Sequence, residues 1–445
     1  MDVLLAFGLF LAALLVSLAL DGPVLLPLLF GAGCFFTVGR RQGFGSRELF
    51  GMMAQGVGRA LVVVRIFVLI GLITALWRAS GTISYLVYWG IQIISPRWFL
   101  VCAFLVTCLI SYALGTSFGT VGTIGIVLIV LAKSGGAGPA AAGGAILAGA
   151  YFGDRCAPAS SSANLIAALT GTDLYGNIRE MFRTGALPFA VSVLIFAALS
   201  RLFPLSAVDG GFLAQIEEAS RLSPLMLVPA VLILALPLFR CGVKTAMLVS
   251  ALAAFLIAVF AQGMGTGEAL SAAVFGYRPE GDGAFSRIIA GGGLLSMVKV
   301  TLIVAASCTI SGLFDGTGML HRLEGAIEAL AGKTGRFPVT ALVSLAGSAA
   351  FCNQTLASIM SNQLVAGVYR KQGASRRELA VDLENSVILL SAAIPWNIAC
   401  AVPLEALGVG AGSILFAVYL YLVPALYLVT KRFFRFRDAQ GPQAP

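Results

Sequence analysis

A chain of 445 residues that is 59% hydrophobic and only 11% charged has too little polar material to cover a soluble surface of its size, so it reads as an all-α polytopic membrane protein. Its formal charge of +9 comes from 29 basic and 20 acidic side chains. The basic residues gather at segment ends (Arg40, Arg41 and Arg47; Arg370, Lys371, Arg376 and Arg377; Lys431, Arg432, Arg435 and Arg437), a positive-inside pattern that argues for a lipid bilayer and against nucleic acid as partner.

The apolar run 3–20 has no basic leader and passes directly into a second span, so it reads as a first transmembrane helix and not as a cleaved signal. Segments 4–20 and 24–38 form a hairpin about Asp21, Gly22 and Pro23. Arg40, Arg41 and Arg47 then place both the end of the second span and the N-terminus in the cytoplasm. Residues 44–58 are mixed in polarity and are expected along the interface. Residues 61–77 make the next span, with Arg65 snorkelling to the headgroups. From 98 to 132 the hydropathy never falls, yet 115–123 reads GTSFGTVGT. That is either a small-residue packing face or a broken, re-entrant helix that turns Thr116, Ser117 and Thr120 to a cavity, and the hydroxyl density favours the second.

Residues 139–152 form a Gly/Ala helix that leads into GAYFGDRCAPASSSAN at 149–164. Pro158 disfavours helix at the residue before it, which predicts a break near Asp154 and a restart near Ser160. Non-helical backbone at membrane depth survives only where protein buries it or where it lines a wet cavity. A broken helix with one acid and a hydroxyl cluster is the pattern of a binding site in a secondary transporter.

Further on, Leu174, Ile178 and Phe182 oppose Asp173, Asn177 and Arg179, which predicts an amphipathic surface helix over 172–183. Residues 187–202, 225–239 and 243–262 are spans. A polar linker occupies 206–223, and Arg240, Cys241 and Gly242 separate the last two spans. The longest stretch without a span, 263–293, carries Arg278, Glu280, Asp282 and Arg287 and divides the chain into halves. The lone histidine, His321, reads as an interfacial residue. The eight scattered cysteines read as free thiols, with neither a disulfide framework nor a zinc site.

The landmarks of the first half recur in the second at one displacement. Pro158 maps to Pro395 (395 − 158 = 237), Thr116 to Asn353 and Gly81 to Gly318. Chance similarity between two apolar stretches competes with this reading, but agreement of both break positions is the stronger fact. Two halves with discontinuous helices in matching places point to inverted repeats around a midplane site.

These residues resemble a known family. GTSFGTVGT, then GAYFGDRCAP and Asn164-Leu165, is similar to the signature of the NhaC-type sodium/proton antiporters, which runs roughly GAYFGDK-x-SPLSDTTNL. Leu383-Glu384-Asn385 and Ile394-Pro395-Trp396-Asn397 resemble that family's LED and IPWN stretches, and Ser80-Gly81-Thr82 fits as well. The resemblance covers about 71–410. It implies an ion-transporter-superfamily architecture of two inverted-topology repeats with broken helices and re-entrant hairpins, which exchanges sodium or another cation for protons. The chain departs from the pattern at Ser161 and Asn385, where the family carries acids, whereas Asp154 and Glu384 keep theirs.

The expected organisation is an N-terminal hairpin with an interfacial segment (1–59), a first transport repeat (60–183), connecting spans (184–293), a second repeat (294–410) and a C-terminal span with a basic tail (411–445). Both termini are expected in the cytoplasm, in an inner membrane. Asp154 is the leading ion-site residue, where proton and cation would compete for one carboxylate. Oxygens of Thr116, Ser117, Ser160, Ser161, Ser162, Asn164, Asn353, Gln354, Thr355 and Asn397 are candidates to complete the shell, and Glu384 is either a second proton site or an interfacial acid following Arg376, Arg377 and Glu378. A rival reading is an ion-coupled carrier of an amino acid or organic acid, with Arg155 as the anion partner. An embedded enzyme is weaker, since no metal-ligand cluster or nucleophile–base pair is present. No cofactor is expected, only transported sodium and protons. Similar carriers are often dimers, so a homodimer is an open expectation, although no segment reads as a dedicated interface.

Overall fold

A computed structural model describes residues 3–20, 22–93, 95–205, 215–217, 221–239, 241–279, 284–319 and 324–436. Asp21 of the first turn, most of the 206–223 linker, Arg240, Glu280, Asp282, His321 and Arg437 lie outside the described residues, as does the Arg287 side chain.

Among the described residues every element is helical, apart from one isolated antiparallel bridge between Tyr277 and Gly291. Helices α1 (Val3–Ala19) and α2 (Leu25–Arg41) form the expected hairpin. α3 (Ser46–Ala79) is one continuous helix of 34 residues, so the interfacial segment and the span after it are not separate. Within 44–58, Gly51 and Gly58 have open space beside them and Gly56 serves close packing. A Cβ on Gly56 would lie 2.0 Å from the Cys308 carbonyl oxygen, and one on Gly312 would lie 2.2 Å from that of Met52. At Ser80-Gly81 the chain turns into α4 (Thr82–Ile93), 70° away from the end of α3.

α5 (Phe99–Leu114) ends at Gly115, and α6 (Ser117–Thr120) continues through a π-helical turn, Val121–Gly125, into α7 (Ile126–Ser134). α8 (Pro139–Cys156), α9 (Ser161–Thr170) and α10 (Leu174–Leu202) complete the first half. α10 corrects a second expectation, because the surface helix predicted over 172–183 and the following span are one 29-residue helix with Pro188 inside. One turn to either side of Pro188, Thr184 and Ser192 return their hydroxyls to the carbonyls of Glu180 and Pro188, at 2.9 and 2.8 Å.

α11 (Val228–Leu238), α12 (Val243–Phe260), α13 (Thr266–Phe275) and α14 (Ala284–Ile289) connect to the second half. That half comprises α15 (Val298–Thr317), α16 (Glu324–Thr334), α17 (Arg336–Phe351), α18 (Gln354–Lys371), α19 (Arg376–Glu384), α20 (Val387–Ala392), α21 (Ile398–Leu407) and α22 (Val418–Thr430). Among the described residues five helices are long and apolar enough to cross a membrane, or six if the bent α3–α4 pair counts as one span.

The displacement of 237 that links Pro158 with Pro395 also relates helix limits. It carries α5 onto α17, residues 117–134 onto α18, and α9 onto α21, at both ends of each, and the start of α8 onto the start of α19. The left-handed residues Gly81, Gly115, Gly136 and Gly171 stand at the same displacement from Gly318, Cys352, Gly373 and Gly408. Cys352, at φ 53°, is the sole non-glycine with positive φ among the described residues.

A large apolar core gathers around α5, α7 and α8. A second cluster joins the α1–α2 hairpin to α15 and to the end of α17 through Phe35, Phe314 and Phe351, with ring centroids 4.5 and 5.4 Å apart.

Candidate functional site

Each half contains two helix breaks that abut. In the first, Gly115 ends α5 in the left-handed conformation, and an added Cβ would meet the Ala159 backbone at 2.5 Å, so only glycine lets the two breaks touch. Ala157 is extended ahead of Pro158, as the pyrrolidine ring requires. Ser160 then caps α9: its Oγ accepts from the N–H groups of Ser162 and Ala163, at 3.1 and 3.2 Å, and donates to the Asp154 carbonyl, which stitches the end of α8 to the start of α9. In the second half, Asn353 caps α18 and Asn397 caps α21. The Asn397 amide also donates to the Ser348 carbonyl at 2.7 Å, while the Ile398 N–H reaches the Cys352 carbonyl at 2.9 Å.

Asp154 lies in the last turn of α8, not at the break itself, which falls after Cys156; this corrects the expected position. Its side chain is buried, and two donors converge on Oδ2: the Ser162 hydroxyl at 3.1 Å and the Gln354 amide at 3.2 Å. Gln354 is the first residue of α18 and also donates to the Ile388 carbonyl at 3.2 Å. One turn before Asp154, the Tyr151 hydroxyl donates to the Ala399 carbonyl at 2.6 Å. α8 is thus fastened to the second half on either side of the carboxylate.

Of the residues singled out in the sequence, Asp154, Ser160, Ser162 and Gln354 come together. Thr116, Asn353 and Asn397 serve as helix caps, and Ser117 is buried at the start of α6. Ser161, Asn164 and Thr355 are exposed, with the Asn164 amide donating to the carbonyls of Pro158 and Ser160. Glu384 is wholly buried at the end of α19. Among the described residues no group of three His, Cys, Asp or Glu side chains stands ready to hold a metal ion.

Arg155, beside Asp154, points into a closed socket. Nε and Nη2 donate to Asn385 Oδ1, Nη1 donates to the Tyr419 hydroxyl at 2.9 Å, and Nη2 also reaches the Met181 carbonyl at 2.9 Å and Thr184 Oγ1 at 3.3 Å. Gly185 makes room for it, since a Cβ there would lie 2.7 Å from Nη1. Every nitrogen of the guanidinium is engaged, and all its partners are neutral.

A model of the Na+/H+ antiporter family matches residues 3–163 and 149–431. The chain belongs to the Na+/H+ antiporter family. It is a multi-pass secondary antiporter of the NhaC type, a transporter and not an enzyme. It is similar to the Na(+)/H(+) antiporter NhaC of Alkalihalophilus pseudofirmus, with 28% identity over 92% of this chain and 88% of that one. It is also similar to the malate-2H(+)/Na(+)-lactate antiporter of Bacillus subtilis (27%, covering 89% and 86%) and to the arginine/ornithine antiporter ArcD of Halobacterium salinarum (28%, covering 90% and 84%).

Within this family member, sequence reasoning missed the partners of Arg155 on α10 and α22. It also missed a second buried cluster. Asp382 accepts from the hydroxyls of Tyr369 and Tyr427 and from Lys431, and Glu378 accepts from Arg336 and Lys431 at 3.0 and 2.8 Å. Glu378 and Asp382 stand four apart on one helix face, which is the signal that would have found them.

Proposed function

We propose that this antiporter exchanges a monovalent cation, sodium first, for protons by alternating access, with the cation held at Asp154. The observation that carries this reading is the junction of a buried carboxylate, a hydroxyl from α9 and an amide from α18. The two donors occupy Oδ2, which leaves Oδ1 to a cation. Rotation of Ser162 and of the Gln354 amide would turn their own oxygens to it, giving the all-oxygen ligand set that a hard cation requires.

Two inverted-topology repeats, residues 60–183 and 294–410, are the architecture proposed around this site. The common displacement of helix limits and left-handed residues supports it. Charge supports opposite sidedness: the turn after α18 is flanked by Arg370, Lys371, Arg376 and Arg377, whereas its counterpart after α7 has only Lys133. On that orientation both termini face the cytoplasm, in the inner membrane. Single cysteines in place of Ser134 and Lys371, in a cysteine-free background, then react with an impermeant thiol reagent from opposite sides. Labelling from the same side removes the inversion.

The deciding experiment uses proteoliposomes loaded with a pH-sensitive dye and given sodium, lithium or potassium outside, with wild type beside Asp154→Asn. A cation-driven pH change that the variant lacks supports exchange at Asp154. No response to any cation turns attention to carboxylate-bearing solutes, the second reading, which the malate/lactate and arginine/ornithine exchange of two relatives favours. Against that reading, Arg155 already spends its donors on protein groups, so a substrate carboxylate would have to break the socket to reach it. Exchange of labelled malate, lactate or arginine across the same vesicles tests it.

A further inference from the structure

Glu384 is 0% exposed, and neither of its carboxylate oxygens has a hydrogen-bond donor among the described residues. The other buried acids are furnished: Asp154 by Ser162 and Gln354, Asp382 by two tyrosines and Lys431, and Glu378 by Arg336 and Lys431. A carboxylate removed from water and given no donor is poorly tolerated as an anion, and far better tolerated with a proton bound.

Its surroundings explain the isolation. Glu384 stands near enough to Arg155 and Asp154 for their charges to act on one another. Arg155, however, turns its donors to Asn385, Tyr419, Thr184 and the Met181 carbonyl. Asn385 therefore takes up the guanidinium's hydrogen bonds without neutralising its charge. Of the remaining charges on neighbouring elements, Arg179, Arg370 and Arg376 are exposed at the surface, and the others are engaged elsewhere. Glu180 pairs with Arg183 on α10, Lys371 of α18 pairs with Glu328, and Glu378 and Asp382 belong to the Lys431 cluster.

With all three ionised, Asp154, Arg155 and Glu384 carry one negative charge in excess. Burial favours a neutral cluster, which needs one added positive charge, either a proton or a cation. We propose that these two charges use different carboxylates: Glu384 carries the proton, Asp154 carries the cation, and each expels the other through the shared field around Arg155. This inference rests on the cation/proton reading above and deepens it. The conformation described is the proton-loaded one, and exchange is one for one.

The test measures radioactive sodium binding to the purified full-length protein from pH 6 to pH 9, together with the dye assay, for wild type, Glu384→Gln and Glu384→Asp. In wild type, sodium binding weakens as pH falls, by about tenfold per pH unit for one proton displaced per cation. Glu384→Gln, which imitates the protonated side chain, binds sodium weakly at every pH and loses both the pH dependence and the sodium-driven pH change. Glu384→Asp regains both, with the midpoint moved. A wild-type slope in Glu384→Gln overturns the proposal, because the proton then sits on Asp154. Should the glutamine variant fail to fold, Glu384→Asp decides alone: a moved midpoint supports the proposal and an unmoved one overturns it. If wild type itself neither binds sodium nor moves protons, the underlying cation/proton reading is what has failed.

Discussion

The Gln354 amide lies 3.2 Å from Asp154 Oδ2, although 200 positions separate the two residues. Gln354 opens α18 just after the break at Cys352-Asn353, and Asp154 closes α8 just before the break at Ala157-Pro158. Each half therefore contributes one side of the contact at a point where its own helix is interrupted.

Replacing Gln354 with Leu removes the donor from the second half and leaves the carboxylate oriented by Ser162 alone. A hydrogen bond to a charged group contributes about 1.5–3 kcal/mol, so the half-saturating sodium concentration rises by about one to two orders of magnitude. Sodium titration in the dye assay measures it, and an unchanged value removes Gln354 from the site.

Arg155→Ala leaves Asn385 Oδ1 and the Tyr419 hydroxyl without their Arg155 donor inside the bundle. Each buried polar group left without its partner costs about 1–3 kcal/mol. The expected result is a markedly lower Tm in detergent. Arg155→Lys recovers only part of it, because an ammonium cannot reproduce the planar fork.

Close backbone approach makes Gly153 and Gly115 sensitive to a single methyl group. A Cβ at Gly153 would lie 2.1 Å from the Ser111 carbonyl carbon, and one at Gly115 would add strain at φ 66° to a clash with Ala159. Alanine at either position should sharply reduce the yield of monodisperse protein on size-exclusion chromatography. Gly33→Ala, with nothing within 4 Å of the added carbon, should not.

Lys431 is the cation shared by Asp382 and Glu378, with side-chain exposures of 18%, 0% and 11%. Lys431→Ala leaves Asp382 with only its two tyrosine donors and is expected to destabilise the protein by about 3–5 kcal/mol. Thermal melts report the loss, and Lys431→Arg should restore much of it.

Both helix breaks in the first half were legible because their causes are local. Gly115 and Pro158 act through backbone sterics on their immediate neighbours, and the constant displacement carried the same positions into the second half. The small error at Asp154 has the same origin: proline restricts only the residue before it, so α8 continues to Cys156. The continuity of α3 and α10 was hidden because polar and small residues that look interfacial are spent on packing, Gly56 against α15 and Gly185 against Arg155. The Arg155 socket had no local signature, since its partners lie 26 to 264 positions away on other elements. Asn385 stands out in the sequence as a departure from the family pattern, yet its pairing with Arg155 depends on tertiary packing across 230 positions.

Cys352 occupies a backbone position that its counterpart fills with glycine, is fully buried, and adjoins Asn353 and Gln354. A thiol reacts only when reagent can reach it. In a background where the other seven cysteines are replaced, this side chain becomes an intrinsic clock of the transport cycle, whose rate of alkylation counts how often the two halves part beside the carboxylate.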